Sequence, residues 1–190
     1  MNGNNVRRII RYVIILATIL LAAPSVAQFR PPPHTIELVR LTPTQGPPDL
    51  AVRLTADPPF SLEGNSVVKV TVFNQYTFVK TPVRYFGSDA QGVIVRINWA
   101  PELSLAGNTM QGSAGFECFV GDHDLLCAGG SIPAGGNAVF QFTLTPPAPA
   151  GCAPAYNASV QAKVDPYNSI GEADETNNEG STNILVWWPC

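Results

Sequence analysis

Charge is what this sequence has least of. Only 13% of its 190 residues are Asp, Glu, Lys or Arg, about half the share of an ordinary domain, which excludes coiled coils, long ion-paired surface helices and charge-rich disordered tails. With 11 basic against 14 acidic residues and a net charge of −3, no basic surface is available to neutralise the phosphates of a nucleic acid. The two histidines, His34 and His123, cannot build a multi-histidine metal centre. There is no CxxC pair, no Gly-x-Ser-x-Gly elbow and no Gly-rich phosphate loop opening a helix. After residue 28 no window keeps apolar side chains at i, i+3, i+4 long enough for a helix. Helical folds are excluded, and the chain reads as a non-enzymatic protein.

What is present begins with a leader. Arg7, Arg8 and Arg11 precede the apolar run Val13–Ala23, and Ser25-Val26-Ala27 ends it with small residues, the pattern of a secretory signal peptide over residues 1–27. The run is too short to cross a membrane whose hydrocarbon core is about 30 Å thick, so no membrane span is expected after cleavage. The leader holds three Arg and no acid, so its removal takes the net charge from −3 to −6. The expected location is secreted: extracellular, periplasmic or at the cell envelope. Residues 28–48 carry Pro31-Pro32-Pro33, Pro43 and Pro47-Pro48 around the apolar patch Ile36–Leu41 and read as an extended arm or linker.

From residue 49 to residue 190 the pattern is that of one all-β domain. Val68, Val70 and Val72 alternate with Lys69, Thr71 and Phe73, and Val93, Val95, Ile97 and Trp99 alternate with Ile94, Arg96 and Asn98. Further alternations start at Leu50, Phe140, Ala158 and Ile184. Turn chemistries separate them, among the 16 Gly and 18 Pro of the chain. Seven to eight short strands of this kind predict an antiparallel β-sandwich.

Export makes the four cysteines a disulfide question with three solutions. Phe116–Val120 and Leu125–Ala128 flank the polar turn Gly121–Asp124, and the resulting hairpin register puts Cys118 opposite Cys127, within disulfide reach. Cys152 is then left for Cys190. Both bonds would be staples.

Two resemblances follow from longer stretches. Pro48–Val52, Leu62–Val68 and Val70–Asn74 resemble the opening half of the bacterial cell-adhesion-related domain, CARDB. Val164–Asn178 is similar to that family's end signature, an Asp-Pro turn followed by a Glu and a Glu-x-Asn-Asn group. The middle, Cys118–Cys127 with Ile132–Gly136, instead resembles related repeat domains of bacterial envelope proteins. Together they cover Asp49 to about Val186 and imply an immunoglobulin-like sandwich with a structural or adhesive role. They imply no catalytic residue.

Three groups are candidate sites. The loop Asp165–Glu179 holds five of the 14 acids, and Asp165, Asn168, Glu172, Asp174 and Glu175 offer the hard oxygens that calcium takes. Otherwise no cofactor is expected. The competing reading is a hairpin loop whose Asp and Asn side chains bond their own backbone. Asp122-His123-Asp124 offers one imidazole between two carboxylates at a hairpin tip, where such residues more often serve turn geometry. Tyr76, Phe78, Tyr85 and Phe86, in the irregular stretch between two strands, are candidates for a binding surface or for plugging a sandwich end. The partners this suggests are a protein or carbohydrate at a cell surface, or copies of the chain itself joined by strand addition of the arm.

Overall fold

The alternating segments become two sheets facing one another across a single apolar core. The computed structural model describes residues 45–61, 64–80, 83–107, 109–148 and 154–187. The leader, most of the arm, and Cys152 and Cys190 lie outside the described residues. Seven strands are eight to ten residues long: β1 Leu50–Asp57, β3 Ser66–Asn74, β6 Ala90–Trp99, β10 Asp124–Ile132, β11 Asn137–Thr145, β12 Tyr156–Val164 and β13 Glu179–Val186. Shorter ones are β2 Phe60–Ser61, β4 Thr77–Lys80, β5 Val83–Phe86, β7 Ser104–Leu105, β8 Gln111–Gly112 and β9 Glu117–Val120. No helix occurs among the described residues. The described residues belong to a unit spanning Arg40–Cys190.

The first sheet runs β1-β3-β11-β7, with β8 also on β11; the second runs β2-β13-β12-β6-β10-β9; β4 and β5 form a separate hairpin. All pairings are antiparallel except β2 with β13. This is the antiparallel β-sandwich that the alternation predicts, with the immunoglobulin-like character that the family resemblance implies. In β3, Val68, Val70 and Val72 are fully buried while Val67, Lys69 and Thr71 face out, the period-two division of a sheet with one face on the core. Phe140 and Phe142 of β11 are fully buried, and Phe142 lies 5.8 Å from Trp99 of the opposite sheet, centroid to centroid. Phe116 meets Phe140 edge to face at 5.0 Å, the arrangement favoured by the ring quadrupoles.

The sheets approach closely where β13 passes β1. A Cβ on Gly180 would lie 2.8 Å from Leu54 Cδ1 and 3.2 Å from the Val52 carbonyl oxygen, so a side chain there would have to displace the end of Leu54 and crowd the β1 backbone. One end of the sandwich is organised by Asn74, fully buried at the end of β3. Its Nδ2 donates to the carbonyls of Ser88 (2.8 Å) and Ile132 (2.9 Å), and its Oδ1 accepts from the Asp49 amide (3.1 Å). One side chain thereby ties the start of β1 and the end of β10 to β3. Pro48, counted with the arm by composition, is buried on the domain, and its carbonyl accepts from the Ala173 amide.

Candidate functional site

The β9–β10 hairpin forms in the register that the polar turn predicts. Val120 faces Leu125, Phe119 faces Leu126, and Cys118 faces Cys127; the two sulfurs are bonded at 2.06 Å. Gly121 donates its amide to the Asp124 carbonyl and closes the turn. Asp122 and His123 are exposed at the tip, while Asp124 pairs with Arg96 at 3.2 Å. The Asp-His-Asp run is thus split between a turn and an ion pair. β9 is an edge strand, and it turns Phe119 (62% exposed) and Val120 (52%) to solvent.

The acidic loop joins β12 to β13 and folds back on the start of β1. Asp165 is fully buried with φ of 41°, and Asn168 follows with φ of 50°, the left-handed region that Asp and Asn tolerate better than most residues. Asp165 Oδ1 accepts from the Ser169 amide (3.0 Å) and hydroxyl (2.7 Å), and Oδ2 from the Ile170 amide (2.8 Å). Burial works to raise its pKa, but these donors outweigh it and hold the carboxyl below its ordinary value. Asp174 Oδ1 accepts from the Thr176 hydroxyl and amide, which likewise lower its pKa.

Glu172 reaches furthest. Its Oε2 accepts from the Leu50 amide at 2.7 Å and its Oε1 from Asn178 Nδ2 at 3.1 Å. Glu175 Oε2 accepts from that same Nδ2 at 3.1 Å, and Glu175 Oε1 from the Glu172 amide. Asn177 adds a bond from Nδ2 to Asp49 Oδ1 at 2.8 Å, and its carbonyl accepts from the Val52 amide. Two carboxylates therefore share one buried amide. Burial and the neighbouring Glu175 charge push the Glu172 carboxyl up to about 7, against the opposing pull of the Leu50 amide. Among the described residues no group of three or more His, Cys, Asp or Glu side chains is close enough to hold a metal ion. Of the carboxylates named from sequence as calcium candidates, Asp165, Asp174 and Glu175 accept amide and hydroxyl donors within the loop, and Glu172 also ties the loop to Leu50 of β1.

Of the four loop aromatics, Tyr76 is 40% exposed and donates its hydroxyl to the Ala134 carbonyl at 2.9 Å. Phe78 and Tyr85 are cross-strand partners in the β4–β5 hairpin, and Phe86 pairs with Thr77; their side chains lie outside the described residues. Trp187 is 47% exposed.

Sequence reasoning missed a groove on the outer face of the first sheet. About 320 Å³ in volume, it is lined by Arg53, Thr55, Lys69, Thr71, Phe73 and Asn137 together with Val139. The alternation placed Arg53 and Lys69 on an outer face, but their convergence depends on the β1–β3 register. A second groove of about 340 Å³ crosses the outer face of the other sheet between Asn98, Gln161 and Ser181 on one side and the Lys163–Glu179 ion pair on the other.

Among solved structures, the fold is similar to the CARDB domain of a Pyrococcus furiosus protein determined in complex with di-metal ions. That pair shares 18% identity with a TM-score of 0.48, over 77% of this chain and 96% of that one. It is also similar to the collagen-binding domain of a Staphylococcus aureus adhesin, at 9% identity and a TM-score of 0.40, over 72% and 96%. The collagen-binding subdomain of the Enterococcus faecalis surface protein ACE matches at 8% identity and a TM-score of 0.44, over 70% and 95%. No curated protein matches the sequence significantly. Among the described residues no helix is long and apolar enough to cross a membrane. Residues 102–182 match the CARDB family model, a stretch that takes in both the end signature and the disulfide hairpin.

Proposed function

We propose that this chain is an exported, non-enzymatic immunoglobulin-like module with a structural or adhesive role at a bacterial envelope or in a secreted assembly. The observation that carries the reading is the edge hairpin β9–β10. A disulfide fixes it, its outer strand has no partner on one side among the described residues, and Phe119 and Val120, on opposite faces of that strand, are both exposed. Apolar side chains held rigidly at a sheet edge lose little conformational freedom on contact, and an unpaired strand offers backbone groups for a further strand. The CARDB match over residues 102–182 supports the same class of role.

The test uses the labelled full chain with intact bacterial cells and isolated envelopes. Saturable binding is expected, and F119S/V120S weakens it about tenfold or more. Binding that ignores those substitutions overturns the edge as the contact. No saturable binding, together with a monomer by light scattering at every concentration, overturns the adhesive role. A second reading uses the same open edge: residues 28–48 of one copy add a strand to β9 of the next. Light scattering of the full chain and of a chain lacking residues 28–48 separates the two, since only arm-donated assembly is lost with the arm.

A further inference from the structure

The described side chains include four cations in a chain of net charge −3, and they divide into two kinds. Arg96 is paired with Asp124 at 3.2 Å and Lys163 with Glu179 at 2.6 Å, both on the second sheet. Arg53 and Lys69 make no ion pair among the described residues, and both face outward on the first sheet. Arg53 stands opposite Thr71 and Lys69 opposite Thr55, so the two cations are diagonal neighbours, about 7–8 Å apart at the backbone. One anion can touch both.

The rest of the groove is neutral and open. The side chains of Thr55, Thr71 and Asn137 make no hydrogen bond among the described residues, and half-buried Phe73 lines the groove beside Asn137, its cross-strand partner. Unpaired cations, free hydroxyl and amide groups and an aromatic ring are the complement of a sugar that bears a carboxylate. Arg and Lys take the anion, Thr and Asn take the hydroxyls, and the ring packs on the apolar face of the sugar. An extended polypeptide lying in this groove is disfavoured, because the β1–β3 and β3–β11 ladders beneath it are already closed and offer its backbone no partners on the face. A nucleic acid is disfavoured by net charge, and two cations release too few counterions to overcome it.

We propose that the outer face of the β1-β3-β11 sheet is a binding site for an acidic polysaccharide, with Arg53 and Lys69 holding a uronate carboxylate. This rests on the adhesive reading above and gives it a ligand class, through a surface other than the β9 edge.

The experiment titrates the full chain with oligogalacturonate, its methyl-esterified counterpart, dextran sulfate and polyglutamate. Oligogalacturonate is expected to bind, about tenfold or more tighter than the ester, with affinity that falls as salt rises. R53Q and K69Q each weaken it several-fold and the double variant abolishes it, while both fold and melt as the parent does. Equal binding of the ester, no binding of oligogalacturonate, or binding indifferent to the double variant overturns the proposal. Tighter binding of dextran sulfate overturns the assignment to uronate, and equal binding of polyglutamate shows that charge alone is read and overturns the sugar site. The double variant is also tested on envelopes. Retained adhesion alongside failed glycan binding refutes this site and leaves the adhesive role standing; adhesion absent from the parent refutes that role itself.

Discussion

Glu172 makes stability depend on pH in an unusual window, and E172Q isolates the effect. In the unfolded chain the carboxyl titrates near its ordinary 4.5, whereas in the fold burial and Glu175 push it up to about 7. Between those values the native state holds a proton that the unfolded state has released, so stability falls as pH rises through the window. The contribution is fully present below about pH 4.5 and is lost above about 7. At about 1.4 kcal/mol per pH unit the full effect is roughly 3 kcal/mol, and partial exposure of the carboxyl screens it to about 1–2 kcal/mol. A glutamine keeps an oxygen for the Leu50 amide and removes the charge facing Glu175. Urea unfolding from pH 4.5 to 8.5 is expected to show the parent losing stability across this window and E172Q nearly flat, overtaking the parent by about 1 kcal/mol at pH 8. Parallel profiles for the two proteins, or a parent that gains stability between pH 5 and 7, refute the argument. Asp165 does not confuse the measurement, since its lowered pKa places its loss of stabilisation below its ordinary 3.8.

D165A strips three donors of their acceptor at a fully buried position, and urea unfolding at pH 7 should show a loss of about 2–4 kcal/mol, with D165N closer to the parent. N74L leaves the Ser88 and Ile132 carbonyls and the Asp49 amide without their partner, for a loss of about 3 kcal/mol or more and faster amide exchange at the start of β1. C118S/C127S opens a short loop at a cost of about 2–3 kcal/mol, and exchange should quicken in β9 before any other strand; uniform exchange would mean that the disulfide does not hold the edge. For calcium, an unchanged melting temperature between chelator and millimolar calcium is expected, because the loop carboxylates already have amide and hydroxyl donors. A rise of several degrees, the signature of a ligand held by the folded state alone, would show that they exchange those donors for the ion.

The parts of this fold that were legible in the sequence are those set by neighbours in the chain. Alternation in Ser66–Asn74 or Ala90–Trp99 assigns each side chain to a face with no knowledge of the partner strand, and the turn Gly121–Asp124 fixes a register because its two strands adjoin it. The two-residue strands β2, β7 and β8 carry no period and are invisible for that reason. Glu172 shows the other limit. Its residue type and its crowding with Asp174 and Glu175 suit a cation, and only the fold reveals that the donor facing it is the Leu50 amide, 122 residues away. Asn74 reads as an ordinary strand-end residue until three distant backbone groups converge on it.

The same reasoning explains why the cationic groove went unseen and why it is informative. Arg53 and Lys69 are isolated charges on separate strands, each unremarkable as the polar member of an alternating pair. A one-residue slip of β1 against β3 would turn Arg53 into the core and leave Lys69, held on β3 by its pairing with β11, alone on the outer face, so the apolar stripe that builds the core also fixes where these two charges stand together. The other two described cations were given acidic partners by the same kind of register, Arg96 through β10 and Lys163 through β13. An outer face that pairs its charges needs nothing from outside. One that leaves two cations without an ion pair among the described residues of an acidic chain keeps their electrostatic energy available to an anion that arrives in solution, and a reversed salt dependence of glycan binding would be incompatible with that origin.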